Sequence, residues 1–245
     1  MRRLGKVDAA AYFRAFGLLV RHPQIMLGPL LAAVAQVLLF KVFPANAGGG
    51  FLSSANSSLA GLIAQLIGSF GLAAALIVAD AAWRRGRAPF DDAWEESRRR
   101  AGDILFAALG FGFIIYVAGL LGSIIPVFGP IVVGLVAMFF FIYTIPAAAI
   151  GGVPGGGALQ ISLERARRSP LPTLLVTALY VFAFFYVPAL AVGALTPLAL
   201  GSSIFASDVA FSLIVAVIKA IVSGYVALVL AKTYDDVSYG RSSAW

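Results

Sequence analysis

Residues 83–103 read WRRGRAPFDDAWEESRRRAGD, and they form the one long, highly charged run in a chain that is apolar on both sides of it. After Pro89, four acidic residues, Asp91, Asp92, Glu95 and Glu96, precede arginines 98–100, an order that complements the macrodipole of a helix. Pro89 suits the first turn of that helix, and Phe90 and Trp94 lie four residues apart, on one face. The pattern predicts a short helix that lies on a membrane surface and joins the spans on either side of it.

The composition is that of a membrane protein. Of 245 residues, 61% are hydrophobic and 12% are charged, and the mean hydropathy is +0.96. A soluble domain has about a quarter charged residues. A net charge of +7 could indicate nucleic-acid binding, but in a chain this apolar it is better explained by loops that face the cytoplasm.

The residue types also restrict the chemistry. The chain has no cysteine and a single histidine, His22, which excludes thiolate metal sites, cysteine nucleophiles and HExxH motifs. No pair of carboxylates falls in the middle of an apolar stretch. We therefore expect no cofactor and no enzymatic activity.

Six stretches are long and apolar enough to cross a bilayer, which takes about 20 residues. They are residues 23–43, 58–82, 104–125, 128–150, 171–194 and 209–231. The sequence predicts an all-α integral membrane protein with one domain, 1–245. The N-terminal MRRLGK resembles the start of a signal peptide, but arginines interrupt the apolar residues after it, so we expect it to be retained.

The basic residues predict the orientation, because positive charges accumulate on the cytoplasmic side. One side receives Arg2, Arg3, Lys6, Arg14, Arg21, Arg84, Arg85, Arg87, Arg98, Arg99, Arg100, Arg165, Arg167, Arg168, Lys232 and Arg241. The other side receives at most Lys41. We expect a multi-pass protein of a bacterial cytoplasmic (inner) membrane with both termini in the cytoplasm.

Three cytoplasmic segments are alike: residues 11–31, 83–103 and 157–179. Each consists of a short amphipathic helix that ends in a basic residue, then a small or helix-breaking residue, then a new span. This indicates three units, each with an interfacial helix followed by a two-span hairpin. Internal duplication and the ordinary basic loops of any protein with an even number of spans both remain possible.

The segments Ala93–Leu105 (AWEESRRRAGDIL) and Ala158–Leu175 (ALQISLERARRSPLPTLL) also carry a family resemblance. Over six spans, this pattern resembles bacterial membrane proteins of the YciC type and the membrane domain fused to some glycerophosphodiester phosphodiesterases. The resemblance implies a lipid-embedded module. The sequence contains no counterpart of the phosphodiesterase domain, so that activity is not expected to carry over.

Lys219 is the polar residue that the pattern singles out. It lies near the middle of the last span, where a lysine costs about 3 kcal/mol on insertion scales. Ser223 lies one turn away on the same face, Gln36 at a similar depth, and Gln65 nearer the outer side. These four residues are predicted to form an intramembrane polar site that lines a substrate path or binds an anionic group. The alternative is a structural lysine satisfied by amides and carbonyls.

A second predicted contact region is a collar of cytoplasmic arginines, for which each basic residue near an anionic leaflet contributes about 1 kcal/mol. Its members are Arg84, Arg85, Arg87, Arg98, Arg99, Arg100, Arg165, Arg167 and Arg168. We expect it to contact membrane lipids with anionic headgroups, or a cytoplasmic partner. The loop 151–157, GGVPGGG, could hold a phospholipid headgroup at the start of a helix, or could be a flexible connector.

Two classes of function remain. The first is transport or lipid handling across or within the membrane. The alternative is a non-catalytic membrane subunit or scaffold, in a homo-oligomer or a larger complex, including the permease part of a transporter with a separate ATPase.

Overall fold

The computed structural model describes residues 8–43, 51–87, 89–125, 128–201 and 208–239. Within these ranges the chain is helical and contains no strand. The helices are α1 (Ala9–Arg21), α2 (Leu27–Val42), α3 (Phe51–Arg85), α4 (Phe90–Arg99), α5 (Ala101–Gly122), α6 (Gly129–Phe141), α7 (Thr144–Ala149), α8 (Gly155–Arg168), α9 (Pro170–Val181), α10 (Val187–Gly201) and α11 (Asp208–Tyr239). A 3₁₀ turn, Pro23–Met26, precedes α2, and a π-helical segment, Phe182–Tyr186, joins α9 to α10.

Six helical stretches of the described chain are long and apolar enough to cross a membrane, which confirms the all-α prediction and indicates a multi-pass membrane protein. They are Pro23–Val42, Leu59–Arg85, Ala101–Gly122, Gly129–Ala149, Pro170–Thr196 and Ala210–Ser238. Their starts lie within a few residues of the predicted ones. The second and sixth run beyond their predicted ends, by three and seven residues.

Proline and glycine determine where several helices begin or end. α3 stops at Gly86, whose φ of 62° belongs to the left-handed region that favours glycine. Pro89 is the N-cap of α4 rather than its first helical residue. Pro146 lies in the first turn of α7, where its missing N–H removes no helical hydrogen bond, and it accompanies the break between α6 and α7.

Three spans are central and three are peripheral. Within the apolar windows, 56% of the α3 span, 50% of the α6–α7 span and 50% of the α11 span is buried, whereas the other three spans are buried to 28% or less. α2 packs against both α3 and α11. The α3–α11 pair therefore forms the axis of the molecule.

The core lies at one end of that axis. Residues 72–76 of α3, residues 226–231 of α11 and all of α7 are buried. We call this region the packed end. In residues 59–69 of α3 and 210–221 of α11, the fully buried positions are alanines, and leucines such as Leu59, Leu62 and Leu213 are exposed. We call this second region the open half.

Helices α1, α4 and α8 surround the packed end. α1 packs on α11, α4 on α3 and α5, and α8 on α5, α6 and α7. α3 and α11 are also joined directly there, because the indole N–H of Trp83 donates to the carbonyl of Leu228 at 2.9 Å. The polar site described next lies where the packed end gives way to the open half.

Candidate functional site

The four polar residues predicted for the spans line one cavity. Lys219, Gln36, Gln65 and Ser223 surround a space of about 320 Å³ between α2, α3, α11 and the π-helical segment. Its remaining walls include hydroxyl, aromatic and apolar side chains: Ser69, Leu72, Phe111, Ile145, Tyr180, Phe184 and Pro188. The structure thus brings together residues that are up to 187 positions apart in the sequence.

Gln36 is held in place by the neighbouring helix. Its side-chain N–H donates to the carbonyl of Ala64 on α3, at 2.7 Å. Gly68 makes room for it, since a Cβ atom at that position would lie 2.8 Å from Gln36 Nε2. The amide oxygen of Gln36 forms no hydrogen bond within the described ranges. Gln36 therefore offers an acceptor at a fixed place in the cavity wall.

Gln65 stands on α3 against α5. It packs on Gly112, where any side chain would collide with the Gln65 amide. Gln65 is exposed, and its amide makes no hydrogen bond to another described residue. Both its donor and its acceptor are available to a ligand.

Lys219 lines the cavity, as the helical offsets predicted, but it is exposed rather than enclosed. Its neighbours on α11 explain the position: Ala216 and Ala220 are buried, and Ser223 is buried one turn towards the packed end. No described residue forms a hydrogen bond or an ion pair with the Lys219 ammonium. A second space of about 200 Å³ also has Lys219 and Gln36 in its wall, so these two side chains separate two connected parts of the open half.

The π-helical segment shapes the remaining wall. Pro188 has no N–H to donate to the carbonyl of Phe184, and in an α-helix its ring would collide with that carbonyl. The chain instead widens over Phe182–Tyr186, and the N–H of Val187 bonds to the carbonyl of Phe182, five residues back. Phe184 and Pro188 both line the cavity as a result.

The chemistry of this lining suits an anion. It offers one ammonium, two carboxamides and three hydroxyls, and none of the described lining residues is acidic. The described chain also contains no group of three or more His, Asp or Glu side chains that could hold a metal ion. None of the residues that the structure describes around this cavity supplies a negative charge to Lys219.

The nine arginines predicted as a collar are mostly exposed. Seven of them are exposed: Arg84, Arg85, Arg87, Arg98, Arg99, Arg167 and Arg168. Three of the nine, Arg84, Arg100 and Arg165, contact other elements of the packed end. Arg84 pairs with Asp80 at 2.8 Å and with Asp235 of α11 at 3.0 Å.

Arg100 and Arg165 also connect elements of the packed end. Arg100 donates to the carbonyl of Ala149, at the end of α7, at 3.1 Å. The guanidinium of Arg165 lies over the ring of Tyr234, 3.7 Å from its centroid, in a cation–π contact. Sequence reasoning missed these roles because the partners lie 49 or more residues away.

The glycine-rich loop permits a close contact between helices. The backbone N–H of Gly155, the first residue of α8, donates to the carboxylate of Asp103 on α5 at 3.1 Å. A Cβ atom at Gly155 would lie 2.8 Å from the carbonyl oxygen of Asp103. The Asp103 carboxylate thus binds the start of α8, the place at which the sequence allowed a phospholipid headgroup to bind. This geometry favours the connector interpretation.

No protein-family model, curated protein or solved structure matches this chain. The resemblance to YciC-type proteins and to the phosphodiesterase membrane domain therefore stays a prediction.

Proposed function

We propose that this chain handles an anionic lipid or anionic solute in a bacterial cytoplasmic membrane, by binding its charged group in the cavity at Lys219 and moving it within or across the bilayer. One observation carries the proposal: an ammonium in the middle of a span faces a cavity and has no ion pair among the described residues. Ionisable residues inside spans often mark substrate paths.

The energetics support a ligand rather than a structural lysine. Placing Lys219 within a span costs about 3 kcal/mol. Neither Gln36 nor Gln65 bonds to it, so the structural alternative lacks its expected acceptors. A phosphate or carboxylate of the ligand would supply the missing counter-charge, and the two amides and Ser223 would supply hydrogen bonds.

The cavity volume limits what binds there. At about 320 Å³, it lies at the lower end of the range for ligand pockets, about 300–1,000 Å³. It accommodates a small charged group and not a whole lipid. Acyl chains of a lipid ligand would extend through the open half, where the large side chains are exposed.

The proposal includes the arrangement in the membrane. Three hairpins, α2–α3, α5–α6–α7 and α9–α10–α11, would each follow a short cytoplasmic interfacial helix, α1, α4 or α8. The packing of α2 on α3 and of α5 on α6 supports it, and so does the position of the short helices around the packed end. Both termini would lie in the cytoplasm.

The exposed arginines would contact anionic headgroups. The chain would act without a cofactor, without an enzymatic reaction and without binding nucleic acid.

Replacement of Lys219 tests the proposal. Wild-type protein, Lys219→Met and the control Lys41→Met are reconstituted in vesicles that contain phosphatidylglycerol. Lys41 is an exposed lysine near the end of α2, so its replacement removes the same charge elsewhere. Retained anionic lipid is counted by native mass spectrometry, and the movement of fluorescent phosphatidylglycerol and of small organic anions is measured.

We expect Lys219→Met to weaken binding of the anionic ligand about tenfold or more, because a hydrogen bond between charged groups contributes about 1.5–3 kcal/mol. Lys41→Met should behave as wild type, and Lys219→Arg should retain part of the binding. Equal retention and equal movement in wild type and Lys219→Met would refute the proposal.

A further inference from the structure

A second, larger concavity lies on another face of the α2–α3 pair. It measures about 610 Å³, and its walls come from α2, α3, α4 and α5. It shares only Ala32 with the polar cavity, because α2 and α3 turn different residues towards each space. We call it the apolar groove.

The apolar groove has the shape and chemistry of a site for a hydrocarbon chain. Its walls are aliphatic and aromatic, and none of the described residues that line it is charged. Gly28 and Gly71 contact each other closely at its floor, since a Cβ atom at Gly71 would lie 2.8 Å from the carbonyl oxygen of Gly28. From Ile63 to Gly71 it follows α3 for eight residues, or about 12 Å. It therefore extends along the contact between α2 and α3.

Trp94 of α4 closes one end of the groove. Its ring meets Phe70 edge-on at 5.5 Å and stacks with Phe90 at 5.8 Å, so two neighbours fix its position. α4 is otherwise highly charged, with the sequence FDDAWEESRR. A tryptophan on a charged helix beside apolar spans suits the level of lipid headgroups. The groove thus runs from the membrane surface into the hydrocarbon.

Arg98 supplies a cation at that same end. It lies four residues after Trp94, one helical turn further on the same side of α4, and is exposed. Arg99 and Arg100 both pair with Glu96, at 3.0 Å and 2.5 Å. Arg98 is the arginine of this trio that forms no ion pair within the described ranges, and its charge complements a phosphate.

We infer that the apolar groove binds one acyl chain of a phospholipid from the leaflet on the α4 side, with the lipid phosphate held by Arg98. This inference rests on the membrane insertion that the proposed function assumes, but it does not involve Lys219. The lipid would be a bound component of the protein, separate from the ligand of the polar cavity.

Fluorescence quenching by brominated lipid tests this site, because Trp94 forms its wall. The full chain is reconstituted in phosphatidylcholine vesicles with an increasing fraction of phosphatidylglycerol brominated near the headgroup end of its acyl chains. Subtracting the signal of Trp94→Phe removes the contribution of the other two tryptophans. In wild type we expect quenching of Trp94 to saturate at a low fraction of brominated lipid.

Two variants change the site in different ways. Ala35→Phe fills the groove, and Arg98→Gln removes the phosphate contact without touching the packed helices. Arg98→Gln should raise the half-saturating lipid fraction about fivefold, as expected when one basic contact to an anionic lipid is lost. Ala35→Phe should abolish the saturable quenching, because its ring occupies the groove. Val136→Phe, on an exposed face of α6, and Arg21→Gln, at an exposed position of α1, are the matched controls and should behave as wild type.

Native mass spectrometry gives the stoichiometry. We expect Arg98→Gln to retain one phospholipid fewer than the wild-type protein in mild detergent. Quenching that rises in proportion to the brominated fraction, with the same slope in wild type and both groove variants, would mean ordinary bilayer contact and overturn the inference. Lys219→Met should leave Trp94 quenching unchanged. The polar-cavity proposal and the apolar-groove proposal can therefore be refuted independently of each other.

Discussion

At the scale of single residues, Gly71 and Gly61 of α3 give a matched test of helix packing. A Cβ atom at Gly71 would lie 2.5 Å from Ala32 Cβ, whereas nothing lies within 4 Å of one at Gly61. We expect Gly71→Ala to lower the free energy of unfolding by about 1–3 kcal/mol, through overpacking of the α2–α3 contact. Gly61→Ala should leave it unchanged or raise it slightly. Unfolding by sodium dodecyl sulfate in mixed micelles measures both, and equal losses would show that the contact does not limit stability.

Single residues also show how much of the site can be predicted from the sequence. Helical offsets and depth along each span were enough to select Lys219, Gln36, Gln65 and Ser223, and all four line one space. Their function stays a prediction. The bond from Gln36 to Ala64 could not be predicted, because it depends on how α2 and α3 pack.

At the scale of elements, the start of α8 depends on Asp103 of α5. Its carboxylate accepts the N–H of Gly155, so Asp103→Ala removes a capping interaction worth about 0.5–2 kcal/mol. We expect faster hydrogen exchange of the amides at residues 155–158, read by mass spectrometry. Asp92→Ala, at an exposed position in the first turn of α4, is the control and should leave these amides unchanged. Unaltered exchange in Asp103→Ala would show that the contact does not hold this helix end.

Hydropathy predicts some helix boundaries, whereas tertiary packing determines the others. The six apolar runs were recognised within a few residues, because a span must be long and apolar wherever it contacts lipid. α11 continues to Tyr239, beyond its predicted end, and its later residues pack against other helices of the packed end. The π-helical segment before Pro188, which gives Phe184 its place in the cavity wall, was not predicted from the sequence.

At the scale of the whole molecule, the position of the core was not predictable from hydropathy. Residues 71–79 of α3, GLAAALIVA, are as apolar as residues 59–67, LAGLIAQLI, apart from one glutamine. The first run is almost entirely buried and belongs to the same hydrophobic core as α7 and residues 226–231 of α11, whereas the second run is largely not buried. Burial is therefore a property of the assembled spans. It places the polar cavity where packing becomes loose, which is where a ligand could enter.

The orientation of the whole chain can be tested with single cysteines, because the natural sequence has none. Ser123, after α5, and Gln160, in α8, are both exposed, and the 22 residues of α5 rise about 33 Å from the packed end to Ser123. Because positive charges accumulate on the cytoplasmic side, the arginine-rich side is predicted to face the cytoplasm. In spheroplasts, we therefore expect a membrane-impermeant maleimide to label Ser123→Cys at once and Gln160→Cys only after permeabilisation. Immediate labelling of Gln160→Cys, alone or with Ser123→Cys, would contradict cytoplasmic placement of α8, and with it the assignment of the exposed arginines to the inner leaflet.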